Sequence, residues 1–274
     1  MLLNIVFTLS GYTKNIADDR FVSRRKEHEM RIRGVAERGY PIQFPENTLS
    51  SFQAAIDLAF THMKLEVHLT KDRIPVVMQD ATLDRMTNGC GDIKDCTFEE
   101  LQRFTINHDE RIPSLEEVLK LAEGKIKLGI EIKQTGFYNG LEEKVYQMIQ
   151  KAGCMSDVYI LSRNHYSLAR FRILSKEIEL GLLTDEVNAA DIQLLSELKA
   201  AYYAVKFDFN TMKKLDVKFL EKMGVQLIVW TVDTIEKMKF MHKYPQALVS
   251  TTELEKYQAI SYPETIINWQ KVGI

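Results

Sequence analysis

The chain of 274 residues is poor in cysteine and proline, with three and six of each. Cys90, Cys96 and Cys154 cannot all pair, and their spacing resembles no zinc site. Reduced thiols are the simplest reading, although Cys90 and Cys96 are close enough in sequence to bridge in an oxidising compartment. No stretch approaches the roughly 18 apolar residues that a membrane-spanning helix needs. Neither sign of charge dominates: 36 Lys and Arg face 38 Asp and Glu, a formal net charge of −2. That balance argues against a nucleic-acid polyanion as the main partner. A glycine-rich dinucleotide fingerprint is missing too, since Gly89-Cys90-Gly91 follows no strand-to-helix turn. There is no internal repeat and no low-complexity linker.

What remains is ordinary globular composition, 45% hydrophobic and 27% charged. Residues 1–30 read as a leader or extension, apolar over Met1–Leu9 and mixed in charge thereafter. They lack a basic start and a clear cleavage site. A cytoplasmic location is the expectation, with a signal or anchor remnant as the alternative.

From residue 31 to about 260, β-rich runs alternate with helical periodicity. Ile32–Ala36 reads as a first strand, Met63–Leu69 and Pro75–Met78 as a hairpin, and Ile126–Ile132 as the next parallel strand. Thr97 with Glu100 and Ser114 with Glu117 have the spacing of helix capping boxes. Asn210 is expected to cap one helix running to Met223. Counting the first arm of the hairpin gives eight strands separated by helices. This pattern predicts a (β/α)8 TIM barrel, class α/β, with a small insertion at about 80–112. A doubly wound open sheet is the alternative. Residues 261–274 read as a C-terminal tail.

In such a barrel the chemistry gathers at the C-terminal ends of the strands. There the sequence places Glu37-Arg38-Gly39, Glu46, Glu66 and His68 on one strand face, Gln79-Asp80, Glu131 with Lys133, and Trp230-Thr231. Convergent carboxylates suit a hard cation, and Arg and Lys beside them suit phosphate.

The ordered runs Glu37-Arg38-Gly39, Pro45-Glu46-Asn47-Thr48, Leu65-Glu66-Val67-His68, Gln79-Asp80, Ile112-Pro113-Ser114-Leu115, Glu131-Ile132-Lys133 and Val229-Trp230-Thr231 resemble the glycerophosphodiester phosphodiesterase family over roughly residues 32–252. The resemblance implies metal-dependent hydrolysis of glycerophosphodiesters to glycerol 3-phosphate and an alcohol, with Ca²⁺ or Mg²⁺. It implies that Arg38 and Lys133 bind phosphate, that Glu66, His68 and Glu131 occupy the metal positions with Glu46 nearby, and that Trp230 lines the pocket. It also places Glu37 and Gln79 at the two histidine positions that transfer protons, and His68 at an aspartate position. Gln79 cannot titrate. His68 removes a hard oxygen ligand, which weakens Ca²⁺ or Mg²⁺ and would suit Mn, Fe or Zn. Arg163 and Thr252 depart from the family pattern as well.

The expectation is therefore an impaired or inactive family member that keeps a pocket for a glycerophosphodiester or another phosphate-containing small molecule. The alternative is an active variant using Glu37 and His68 with Mn, Fe or Zn. If the scaffold is otherwise intact, Glu37→His, His68→Asp and Gln79→His together should create metal-dependent activity.

Overall fold

In the computed structural model, residues 31–107, 109–133 and 140–265 are described. The leader assigned to residues 1–30 and most of the tail lie outside them.

Eight parallel strands close into a barrel. They are β1 (Ile32–Glu37), β2 (Phe60–Leu69), β4 (Lys127–Ile132), β5 (Val158–Ser162), β6 (Glu179–Thr184), β7 (Tyr202–Lys206), β8 (Gln226–Trp230) and β9 (Leu248–Thr251). The sheet runs β1-β9-β8-β7-β6-β5-β4-β2, and the pairing of β1 with β2 closes it. That closure rules out the open doubly wound sheet. The short β3 (Pro75–Val77) pairs antiparallel with the end of β2, as the hairpin spacing predicts.

Helices cover the outside: α1 (Leu49–Asp57), α2 (Phe98–Leu101), α3 (Leu115–Ala122), α4 (Leu141–Ala152), α5 (His165–Leu174), α6 (Ala189–Glu197), α7 (Phe209–Lys214), α8 (Val217–Lys222), α9 (Ile235–Met241) and α10 (Leu254–Ser261). Both capping boxes form, Thr97 with Glu100 and Ser114 with Glu117. Each such cap is worth about 1 kcal/mol.

The single helix expected from Asn210 to Met223 is instead two helices, α7 and α8. Asp208 caps the first by accepting from the amides of Asn210 and Thr211, and Asp216 caps the second by accepting from Phe219 N. An Asp favours this local turn over helix continuation, because its side chain offers the backbone another acceptor.

Strand periodicity sorts side chains between the barrel lumen and the helical layer. Val35, Tyr159, Leu161, Leu183, Tyr202, Ala204, Ile228 and Leu248 form one buried cluster, separate from the larger one beneath the helices. Near the strand starts, Tyr159 and Tyr202 stack at 4.2 Å. Gly129 on β4 makes room for them, since a Cβ there would meet the Tyr159 ring at 2.5 Å.

The insertion has a core of its own. Leu83, Ile93, Leu101, Ile106 and Ile112 pack with Val76 and Met78. The insertion therefore sits on β3, beside the open end of the barrel.

Candidate functional site

A cavity of about 430 Å³ opens at the C-terminal ends of the strands. Its charged lining comprises Glu37, Arg38, Lys64, Glu66, Glu131, Lys133, Arg163 and Asp233, beside Gln79 and Trp230. Strand register explains the cluster. Glu37 of β1 lies opposite Lys64 of β2, and Glu66 of β2 lies opposite Glu131 of β4. Lys64 and Glu66 are two apart, so both point into the lumen.

The centre of the site is the Lys64 ammonium. Its Nζ lies 2.7 Å from Glu37 Oε1, 2.6 Å from Glu66 Oε1 and 2.7 Å from Glu131 Oε2. An ammonium carries three donors, and here each has its own carboxylate. The remaining carboxylate oxygens are engaged as well. Ser250 Oγ donates to Glu37 Oε2 at 2.6 Å, and Asn47 Nδ2 to Glu66 Oε2 at 2.9 Å. Arg163 Nη1 donates to Glu131 Oε1 at 2.8 Å. Arg38 Nε adds a contact of 3.2 Å to Glu66 Oε1.

All four groups of the cage are buried, Glu66 completely. Burial alone would drive Lys64 neutral, but the three carboxylates outweigh it and hold its pKa well above the ordinary lysine value. Burial likewise opposes ionisation of Glu66, but Lys64 and Arg38 overcome it and bring the carboxyl down to about 2. Lys64 and Glu66 are thus both ionised at neutral pH.

Arg38 is placed by its backbone. It has φ of +60°, and its N–H donates to the Lys64 carbonyl at 2.9 Å. Gly39 follows with φ of +82°, where a Cβ would strike Ser51 Oγ at 2.4 Å. The turn sends the Arg38 guanidinium to Glu66 and, through Nη1, to Glu46 Oε2 at 3.0 Å. Glu46 also accepts from Arg85 Nη2 at 2.5 Å, which ties the β1–α1 loop to the insertion.

Lys133 differs from the other cations. Its Nζ donates to the Gln79 carbonyl at 3.0 Å and forms no ion pair among the described residues. Burial lowers its pKa, against the pull of Glu131 and Glu66. Lys64, Arg38 and Arg163 are all engaged by carboxylates, so Lys133 is the cavity-lining cation that no carboxylate contacts among the described residues.

The structure brings Glu37, Arg38, Glu66, Gln79, Glu131, Lys133 and Trp230 to one cavity. It does not assemble the expected metal set. His68 places its Nε2 3.4 Å from the Gln79 carbonyl and is not among the residues lining the cavity. Burial lowers its pKa to about 4, so it is neutral at pH 7. Glu46 faces Arg38 and Arg85. Among the described residues no three His, Cys, Asp or Glu side chains are arranged to hold a metal ion. The divalent ion implied by the resemblance therefore does not fit this donor set as it stands. The carboxylates that would ligate it converge on an ammonium.

Two site residues escaped the sequence reading. Lys64 was legible from the same alternation that pairs Glu66 with His68. Arg163 stood out only as a departure from pattern. In the structure it bridges Glu131 and Asp185, and its guanidinium lies 5.1 Å from the Trp230 ring centroid. Two side-chain atoms at the cavity, Gln79 Oε1 and Trp230 Nε1, are buried without a partner.

Known proteins share this arrangement of elements. Residues 38–254 match the Glycerophosphoryl diester phosphodiesterase family. A glycerophosphodiester phosphodiesterase of Caldanaerobacter subterraneus subsp. tengcongensis is 35% identical over 248 residues, covering 87% of this chain and 98% of its own. The crystal structure of a glycerophosphodiester phosphodiesterase from Parabacteroides distasonis superposes with a TM-score of 0.73 at 23% identity, over 85% of this chain and 97% of that one. An Oleispira antarctica phosphodiesterase, solved in complex with the product sn-glycerol-3-phosphate, gives 0.70 at 23% identity, over 85% and 98%. With its closed barrel, its strand-end cavity and this match over most of its length, the chain belongs to the glycerophosphodiester phosphodiesterase family.

Proposed function

We propose that this family member binds the phosphate-bearing part of a glycerophosphodiester in the strand-end cavity and hydrolyses it poorly or not at all. The observation that carries this reading is the engagement of every oxygen of Glu37, Glu66 and Glu131 by donors of the chain itself. A carboxylate held this way has no free oxygen to offer a metal ion or a substrate proton. Glu37, at one proton-transfer position, is fixed between Lys64 and Ser250. Gln79, at the other, has no titrating group. Loss of one general acid or base typically costs 10²–10⁴ in rate.

Ligand binding has more support. Lys133 and Arg38 line the cavity with charges suited to phosphate oxygens. The unpartnered Trp230 Nε1–H and Gln79 Oε1 suit a polar ligand beside them. The related Oleispira antarctica enzyme holds sn-glycerol-3-phosphate.

The test pairs two measurements on the purified protein. Calorimetric titration with sn-glycerol 3-phosphate should give saturable binding. Release of glycerol 3-phosphate from glycerophosphocholine should stay at the buffer rate with Ca²⁺, Mg²⁺, Mn²⁺ or Zn²⁺. Turnover with any of these ions, abolished by Glu66→Ala, would replace this reading with that of an active variant enzyme.

A further inference from the structure

We infer that the Lys64 ammonium, assisted by the Arg163 guanidinium, is the resident counter-ion of the Glu37–Glu66–Glu131 cage, and that it closes a latent divalent-cation site.

The geometry is that of a coordinated ion. One small cation sits among three carboxylate oxygens from three neighbouring strands at 2.6–2.7 Å. Calcium–oxygen distances run about 2.3–2.6 Å, so the cage has close to the dimensions of a divalent site. The carboxylates come from rigid barrel strands, not loops, and keep their positions through backbone register.

The charge count agrees. Lys64 contributes one positive charge and Arg163, bound to the far oxygen of Glu131, a second. Asp185 shares the Arg163 charge, so together they supply the cage with more than one and less than two positive charges, approaching what a divalent ion would supply. Arg38 completes the neutralisation from the side of Glu66. Three buried carboxylates without such a counter-ion would repel one another strongly.

The consequence is specific to this chain. Where a bound metal ion exchanges with solvent, a lysine is tethered. The cage then has the same charge whatever the metal supply, and chelators leave it unchanged. This inference stands apart from the proposed ligand, because its test reads metal binding and not phosphate binding or turnover.

Mn²⁺ and Ca²⁺ are titrated calorimetrically into the unaltered protein, Lys64→Met, and Lys64→Met combined with Glu37→Gln, with thermal unfolding in parallel. The double variant removes one uncompensated carboxylate and so relieves the folded state. The unaltered protein should show no saturable divalent-ion site and the same unfolding midpoint in chelator as in Ca²⁺. Lys64→Met, or the double variant, should bind one ion per chain at least tenfold more tightly than the unaltered protein, and the ion should raise its midpoint. Adding Glu66→Gln should abolish the gain. A saturable site in the unaltered protein that Glu66→Gln removes would overturn the inference. So would folded Lys64 variants that bind no ion, or variants that fold at no concentration of either ion.

Discussion

Lys64 Nζ lies 2.6 Å from Glu66 Oε1, two residues along the same strand and both buried in the barrel lumen. This pair sets the electrostatics of the site. Glu66 is a carboxylate in need of a cation, and the chain provides one.

Removing one side of the pair should be costly. Glu66→Ala leaves the Lys64 ammonium with two carboxylates and takes the partner from Asn47 Nδ2. Breaking a buried ion pair from one side typically costs about 3–5 kcal/mol. Chemical denaturation should show a loss of that order, and a loss below about 1 kcal/mol would place the cage in contact with bulk water.

The sequence departures Glu37, His68 and Gln79 suggest that Glu37→His, His68→Asp and Gln79→His could restore activity. With Lys64 in place, the triple variant should release no glycerol 3-phosphate from glycerophosphocholine above the buffer rate with Ca²⁺ or Mg²⁺. Adding Lys64→Met should produce metal-dependent release. Activity in the triple variant itself would show that Lys64 yields its place to the ion.

Stability should fall in mild acid because of His68. Burial lowers its pKa to about 4, whereas an unfolded chain titrates near the ordinary value of 6.5. Between these values the unfolded state binds a proton that the folded state refuses, so stability rises with pH across the window. The contribution is fully present above about pH 6.5 and lost as pH falls to about 4, amounting to about 3 kcal/mol. Glu66 adds a second loss at lower pH, between its ordinary value of 4.5 and about 2. Urea midpoints measured from pH 7 to 4 should drop for the unaltered protein and stay flatter for His68→Asn. Parallel slopes would mean that His68 does not carry the effect.

Much of this architecture was legible in the sequence. The hairpin after β2, the two capping boxes and the alternating strands all follow from spacing and residue chemistry. The break between α7 and α8 did not, because a cap at Asp216 competes with a helical pattern that runs through it. Within the site, the resemblance led to Glu66 and Glu131 but passed over Lys64. A lysine inside a strand reads as a solvated charge until register sets it against Glu37 and faces Glu66 with Glu131. Arg163 was harder still. Its partners, Glu131 and Asp185, lie on β4 and just beyond β6, the two strands that flank β5 in the sheet, so their proximity follows from strand order and not from sequence spacing.

Barrel packing gives a prediction remote from the site. Gly129→Ala puts a methyl group 2.5 Å from the Tyr159 ring, which is stacked on Tyr202 and cannot withdraw easily. Overpacking of this kind costs about 1–3 kcal/mol. A thermal midpoint unchanged from that of the unaltered protein would show that the lumen has slack there.

Lys133 should matter for ligand and little for folding. It forms no ion pair among the described residues, so Lys133→Ala should weaken sn-glycerol 3-phosphate binding by about tenfold or more, as loss of a charge-assisted hydrogen bond does. The urea midpoint should change little. An unchanged affinity would move the phosphate away from this wall of the cavity.

The most direct test of the account is the affinity for sn-glycerol 3-phosphate measured twice by calorimetry, once in excess chelator and once in excess Ca²⁺. With Lys64 as the fixed cation, the two dissociation constants should agree within a factor of two. Binding that appears only with Ca²⁺ would contradict the account and return a metal ion to the centre of the site.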